Sequence, residues 1–287
     1  MAFVKATKQQ AKLRLALIGP SGSGKTYSAL SIASNLGKKI AVIDTERGSA
    51  SLYSDKFKFD VCELDSFSPL EYVRAIDEAG NAGYDVLIID SLSHAWSGKD
   101  GALDQVDQAA TRSQNKNTFA AWREVTPLHN QLVDSILGSH CHVIVTMRAK
   151  TEYALEKDEK TGKTMPRKIG MAPIQRDGLE YEFTVVGDMD LQNNLIISKT
   201  RCSSLNNKVF NKPGKDIANT LLNWLNDGAP ILTCAECDGI IEPATLGGKL
   251  YSAEELAAKS RKEFGKQLCV EHIKAAAEAK KAEKSNP

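Results

Sequence analysis

What this 287-residue chain lacks narrows its function early. No apolar run approaches the twenty or so residues needed to cross a membrane, so no membrane role is expected. The opening residues, MAFVKATKQQAK, lack the apolar core of a signal peptide, and a cytoplasmic location is the expectation. Neither sign of charge dominates: 37 Lys and Arg against 36 Asp and Glu leave +1, so any nucleic-acid surface must be local. There is no internal repeat. Cysteine is scarce, and the six present read, in a cytosolic chain, as thiols or metal ligands ahead of disulfides. What is there, 42% hydrophobic and 25% charged residues, is ordinary soluble protein, long enough for one large core and a small appendage.

Residues 13–226 alternate short apolar runs with helix-like stretches, the pattern of a mostly parallel sheet flanked by helices. The runs predict strands at Leu13–Ile18, Lys39–Asp44, Asp85–Asp90 and His142–Thr146, with helices at Lys25–Leu36, Pro69–Ala82 and Thr118–Leu137. EFTVVGDMDLQNNLIISK reads as two strands on a polar turn, an antiparallel hairpin that extends the sheet. A helix at Asp216–Leu225 closes the domain before the breaker NDGAP. The expected units are a main domain over 1–228, a cysteine-bearing module over 229–273 and a basic, flexible tail over 274–287.

Gly19-Pro20-Ser21-Gly22-Ser23-Gly24-Lys25-Thr26, followed by Tyr27, fits G-x-x-x-x-G-K-[ST] in full and lies between a predicted strand and a predicted helix. Glycines let backbone N–H groups turn inward around a β-phosphate, and the helix N-terminus adds its partial positive charge. Lys25 is expected on the β- and γ-phosphates and the Thr26 hydroxyl on Mg²⁺, so residues 19–27 are read as gripping ATP. DVLIIDS supplies the other half of the Mg²⁺ site, with Asp90 closing four consecutive apolar residues. IAVIDTERG brings Asp44 and Glu46 to another strand end, where hydrolysis needs a group that polarises the attacking water.

A phosphate-loop lysine, then about twenty residues later a strand reading apolar–Asp–x–Glu, then LIIDS, resembles the RecA-type ATPase core. The resemblance implies an α/β, RecA-type P-loop NTPase fold in which Glu46 is the general base, working with Lys25 and Asp90. IISKTRCSS places Lys199 and Arg201 just past a strand, and the Lys-x-Arg spacing resembles the trans-acting pair of hexameric helicases and related ATPases. Two residues apart on an extended chain, both cations face one side and can clamp one phosphate; the other reading is a solvated basic strand end. RecA-type proteins often end the next core strand in a polar sensor, frequently Gln. HVIVTMRAK offers Thr146 or Arg148 there and no glutamine.

In RecA-like recombinases the loop after that strand contacts single-stranded DNA. Here Arg148 to Lys168 carries seven Lys and Arg against four Asp and Glu, with Tyr153 available to stack on a base. EKDEKTGK within it reads equally as a solvated hairpin tip. SHAWSGKDGALDQVDQAATRSQNKN is the other loop expected on that face, with Trp96 either a stacking platform or a core residue.

Cys234-Ala-Glu-Cys237 and, 31 residues on, Cys269-Val-Glu-His272 supply four ligands for a closed, structural Zn²⁺ site. Between them SAEELAAKSRKEFGKQL reads as a helix with Ser252 as its cap and Glu255 three residues later. About forty residues cannot build a sufficient core alone, so a metal staple makes physical sense. Cys62, Cys141 and Cys202 are expected in or near the core, while His94, His129, His140 and His142 have no partner at ligand spacing. The tail resembles the zinc modules of phage DNA-recombination proteins, and the whole chain resembles phage RecA-like ATPases of the single-strand annealing and recombination type. That resemblance implies single-stranded DNA as partner, a homo-oligomeric ring or filament, a phage single-strand-binding or recombination partner, and a bacterial host cytoplasm. The alternatives are a nucleotide-switched binding module with little turnover, or a small-molecule P-loop kinase, though no arginine-rich lid is visible.

Overall fold

Four apolar runs, each four to six residues long, meet side by side as the centre of one sheet. The computed structural model describes residues 8, 10–112, 117–157, 164–229, 232–237 and 239–284. They divide into two compact units, Lys12–Trp224 and the chain from Leu225 onward, which takes in the N-terminal residues up to Ala11.

In the larger unit, β1 (Arg14–Gly19), β2 (Ile40–Asp44), β3 (Asp60–Glu63), β4 (Val86–Asp90), β5 (His142–Lys157), β6 (Thr164–Pro173), β7 (Val185–Met189), β8 (Asn194–Thr200) and β9 (Val209–Asn211) form one sheet. Its order is β3-β2-β4-β5-β1-β7-β8-β9, with β6 paired to β5 outside this path. Every pairing from β3 across to β7 is parallel, whereas β7–β8, β8–β9 and β5–β6 are antiparallel. β1 lies mid-sheet, and the connection from it crosses two strands to reach β2. The carboxyl end of β1 is therefore the place where an open α/β sheet holds a ligand.

The helices are α1 (Lys25–Leu36), α2 (Pro69–Asn81), α3 (Ser93–Ser97), α4 (Ala102–Arg112), α5 (Thr118–Gly138) and α6 (Lys215–Asn226). Tyr72 and Ile76 of α2 and Leu132 and Ile136 of α5 pack with Ile43, Leu87, Ile89 and Val143 of the strands in one continuous core. Burying a side chain of this size stabilises the fold by about 1.5–3 kcal/mol. The central strands, apolar on both faces, therefore hold the sheet rigid beneath the loops at their ends.

The structure departs from expectation in several places. The polar stretch after Asp90 carries two helices, α3 and α4, and Ala102, Val106, Ala109 and Ala110 of α4 meet Ala121 and Val125 of α5 in a second core. β5 continues eleven residues beyond Thr146 because β6 returns along it as an antiparallel arm. Cys141 and Cys202 are buried, but Cys62 is exposed, since β3 is a sheet-edge strand and all four of its residues are exposed.

The second unit holds β10 (Ala244–Leu246) and β11 (Lys249–Tyr251), an antiparallel hairpin, then α7 (Ala253–Phe264) and α8 (Val270–Lys284). Gly247 and Gly248 turn that hairpin, both with positive φ. Leu256, Ala257, Leu268 and Ile273 close a small core around Cys234. α8 runs unbroken through residue 273, so the division expected there falls inside a helix. No helix among the described residues is long and apolar enough to cross a membrane.

Candidate functional site

β1 delivers the chain into the Gly-rich loop at Gly19, and α1 begins at Lys25. Gly22 and Gly24 take φ of 79° and 82°, the left-handed region where a side chain is strained. The loop is folded on itself. Ser23 Oγ donates to the Pro20 carbonyl at 2.9 Å, and Lys25 Nζ donates to the carbonyls of Gly19 (3.0 Å) and Pro20 (2.8 Å). Burial lowers the Lys25 pKa, against the pull of Asp90 and Glu46.

Asp90, at the end of β4, is 2% exposed and accepts from two threonines: Thr26 Oγ1 on Oδ2 at 2.6 Å and Thr146 Oγ1 on Oδ1 at 2.5 Å. Burial raises its pKa while the two hydroxyls favour the charged form. Thr26 and Asp90 are the pair a Mg²⁺ ion would join, and a hydroxyl and a carboxylate are the hard oxygen donors it takes.

Asp44 ends β2 and accepts the backbone N–H of Glu46 (2.6 Å) and of Ala50 (3.1 Å), which shapes the following turn and sets the Glu46 position. Arg148 donates to Glu46 Oε1 through Nε at 3.0 Å and Nη2 at 2.9 Å. Thr45 ties this turn to β4. Its Oγ1 accepts the Ser91 N–H at 2.8 Å and lies 2.7 Å from His94 Nδ1, which gives that ring a hydrogen-bond partner and no metal-ligand one. His94 also stacks on Phe67, and burial is the main cause of its lowered pKa.

The structure brings Lys25, Thr26, Glu46, Asp90, Thr146 and Arg148 to one sheet end. Lys199 and Arg201 are not among them. Thr200 pairs with Val185, at the amino end of β7, so both cations lie at the end of the sheet opposite the loop. Lys199 Nζ donates there to the carbonyls of Glu180, Tyr181 and Phe183, while Arg201 is exposed.

Trp96 stacks on Trp122 with ring centroids 5.5 Å apart and meets His129 edge-on, so it packs against the helical core. Tyr153 lies on β5 and Lys168 on β6, while residues 158–163 of the expected DNA loop lie outside the described residues.

Three sets of contacts carry no local signal in the sequence. Tyr27, 40% exposed beside Thr26, meets Tyr53 and Phe57 edge-to-face at 5.7 and 5.2 Å; aromatics on a separate turn carry no motif. Gln175 arrives from β6, buried, donating to the Leu92 carbonyl and lying 3.3 Å from His129 Nε2. Asn193, in the β7–β8 turn, donates through Nδ2 to the Ser23 carbonyl at 3.0 Å.

In the second unit the ligand atoms of Cys234, Cys237, Cys269 and His272 lie within 4.8 Å of one another. Three thiols and an imidazole converging on one point are the donor set of a closed tetrahedral Zn²⁺ site, and the chemistry of these four residues fits that ion. His272 Nδ1 is 3.1 Å from Cys269 Sγ and 3.6 Å from Cys234 Sγ. Burial alone would raise the Cys234 thiol, but backbone N–H groups of Cys269, Glu236 and Cys237 outweigh it and bring it down to about 6.

A Gly-rich loop between a buried parallel strand and a helix, with its threonine bonded to the carboxylate ending β4, defines a P-loop nucleotide-binding protein. Residues 11–221 match the AAA domain family, and the chain belongs to it. A search of curated proteins found no match to the chain.

Proposed function

We propose that the chain is a Mg²⁺-dependent ATPase of the RecA type that assembles on single-stranded DNA and assists annealing or recombination. The observation that carries the ATPase reading is the Thr26–Asp90 hydrogen bond with Glu46 at the neighbouring strand end. In this reading Lys25 leaves its two carbonyls for the β- and γ-phosphates, Glu46 orients and deprotonates the attacking water, and Tyr27 and Tyr53 offer faces to the base. Mg²⁺, held by Thr26 and Asp90, supplies charge neutralisation at the phosphates. Lys199 and Arg201, remote from their own loop, serve a neighbouring protomer in a ring or filament. That makes turnover depend on assembly. Zinc is the metal of the Cys₃His cluster. The likeness to phage annealing proteins supports the DNA role, with a phage recombination protein as further partner.

A second reading, a nucleotide switch with little turnover, is favoured by the two bonds Arg148 makes to Glu46 Oε1, which hold that oxygen away from an attacking water. ATP turnover with and without single-stranded DNA, alongside sedimentation with and without nucleotide, separates the two. Glu46→Gln is expected to lower turnover by about 10²–10⁴-fold and to leave the ATP dissociation constant within a fewfold. DNA-independent turnover by a monomer eliminates the recombination reading, and an unchanged rate in Glu46→Gln removes Glu46 as base.

A further inference from the structure

The β7–β8 turn is built to hold one side chain against the phosphate loop. Asp190 organises it: Oδ1 accepts the N–H groups of Gln192 (2.9 Å) and Asn194 (2.8 Å), and Oδ2 accepts Asn194 Nδ2 at 2.8 Å. The Asp190 carbonyl accepts the Asn193 N–H at 3.2 Å, and the Asn193 carbonyl accepts the Lys212 N–H at 2.9 Å. Asn193 itself has φ of 63°, a conformation asparagine tolerates better than other side-chain-bearing residues. Its Nδ2 reaches the Ser23 carbonyl, and the fit is close: a Cβ at Gly24 would stand 2.8 Å from that nitrogen.

The consequence lies on the other side of the peptide. Across a planar trans bond the Ser23 carbonyl and the Gly24 N–H point in opposite directions. A carbonyl drawn toward the hairpin therefore turns the Gly24 N–H inward, to the face where a loop of this kind receives a phosphate. Gly24 has no Cβ to fix its own orientation, and at φ of 82° it stands in the region glycine visits freely. We infer that Asn193 is a positioning residue for nucleotide binding, orienting the Gly24 N–H toward the phosphates through its hydrogen bond to Ser23. The inference rests on the nucleotide reading above and extends it to a residue outside the phosphate loop.

The test is titration of Mg-ADP into the full chain and into Asn193→Gly and Asn193→Asp. Glycine keeps the positive φ and removes the amide. Aspartate keeps shape and turn but turns a negative oxygen toward the Ser23 carbonyl. We expect binding about tenfold weaker in Asn193→Gly and about a hundredfold weaker in Asn193→Asp. The ³¹P resonance of the bound β-phosphate should move toward its free position, because the donor facing it has turned. Affinities within twofold and an unmoved resonance in both variants overturn the inference, even if the ligand-free variants melt lower, because the bond then serves the fold alone. No ADP binding by the unchanged chain overturns the nucleotide reading and this inference with it. Normal binding by the unchanged chain and by both variants overturns only the latter.

Discussion

The phosphate loop and the Cys₃His cluster treat their charged groups in opposite ways. Around the loop every central group has an internal partner: Lys25 has two carbonyls, Asp90 two threonines, Glu46 an arginine. In the cluster, four ligand atoms converge and His272 lies against two of the sulfurs. The first site stands on a wide sheet with buried strands and is complete without its ligand. The second belongs to a unit whose buried hydrophobic cluster, among the described residues, is Cys234, Ile241, Ala253, Leu256, Ala257, Leu268 and Ile273. One site stands within a large, buried fold; the other, on the proposal that it holds zinc, is completed by its ligand.

The largest expected effect follows directly. A structural zinc contributes on the order of 10 kcal/mol to a small domain, more than so few buried side chains supply. Chelation, or the double change Cys234→Ser and Cys269→Ser, is expected to abolish amide-exchange protection in α7 and α8. Mg-ADP affinity at the loop should stay within about twofold. Hydrogen exchange read by segment, with calorimetry on the same samples, checks both halves. Protected α7 amides after metal removal would break the comparison, since the tail would then fold on its apolar contacts alone.

How much of this could be read in the sequence follows the same division. α1 was legible to the residue because the loop motif fixes its first turn and Gly37 closes it. β2, β4 and the β7–β8 hairpin were legible because buried strands are near-continuous apolar runs. Ser252 with Glu255 was legible because a capping box is written in four adjacent residues, and both of its bonds are present. β3 was not, because Asp60–Glu63 is an exposed edge with no apolar alternation. α4 was hidden because its buried face is mostly alanine, which scarcely registers as apolar. Arg148 on Glu46, Gln175 beneath Leu92 and Asn193 on Ser23 join residues 83–170 positions apart. Each is a product of sheet order, and no local spacing encodes it.

A middle-sized effect tests how finished the larger unit is. His142, 9% exposed at the start of β5, accepts the Leu13 N–H on Nδ1 at 3.0 Å, so it must be neutral to serve β1. Burial first, then Lys12 and Arg14, lower its pKa to about 4, against the opposing pull of Asp85. The sign follows from linkage. The unfolded chain takes up a proton near pH 6.5 and the folded chain only near 4, so this contribution is intact above pH 6.5 and is lost as pH falls through that window. The full loss is about 3 kcal/mol. His142→Asn keeps an acceptor and removes the titration, so urea midpoints at pH 7 and 4.5 should differ less in the variant. An equal pH dependence in both proteins would show that the sheet is not sealed around this ring.

The smallest effect sharpens the contrast most, because it makes the same change in both units. Asn117 caps α5 in the larger one, its Oδ1 accepting the N–H groups of Phe119 (3.0 Å) and Ala120 (3.2 Å). Ser252 caps α7 in the smaller, Oγ accepting the Glu255 N–H at 3.2 Å while Glu255 Oε2 accepts the Ser252 N–H at 2.8 Å. Replacing either with alanine removes about 1 kcal/mol. In a fold complete without its ligand, that loss stays in the unfolding free energy, so Asn117→Ala should lower the urea midpoint and leave the Mg-ADP affinity unchanged. In a unit folded by its ligand, the same loss is taken from binding, so Ser252→Ala should weaken apparent Zn²⁺ affinity about fivefold. Competition against a chromophoric chelator reads the second number directly. An unchanged zinc affinity in Ser252→Ala would mean that α7 is already formed before the metal arrives.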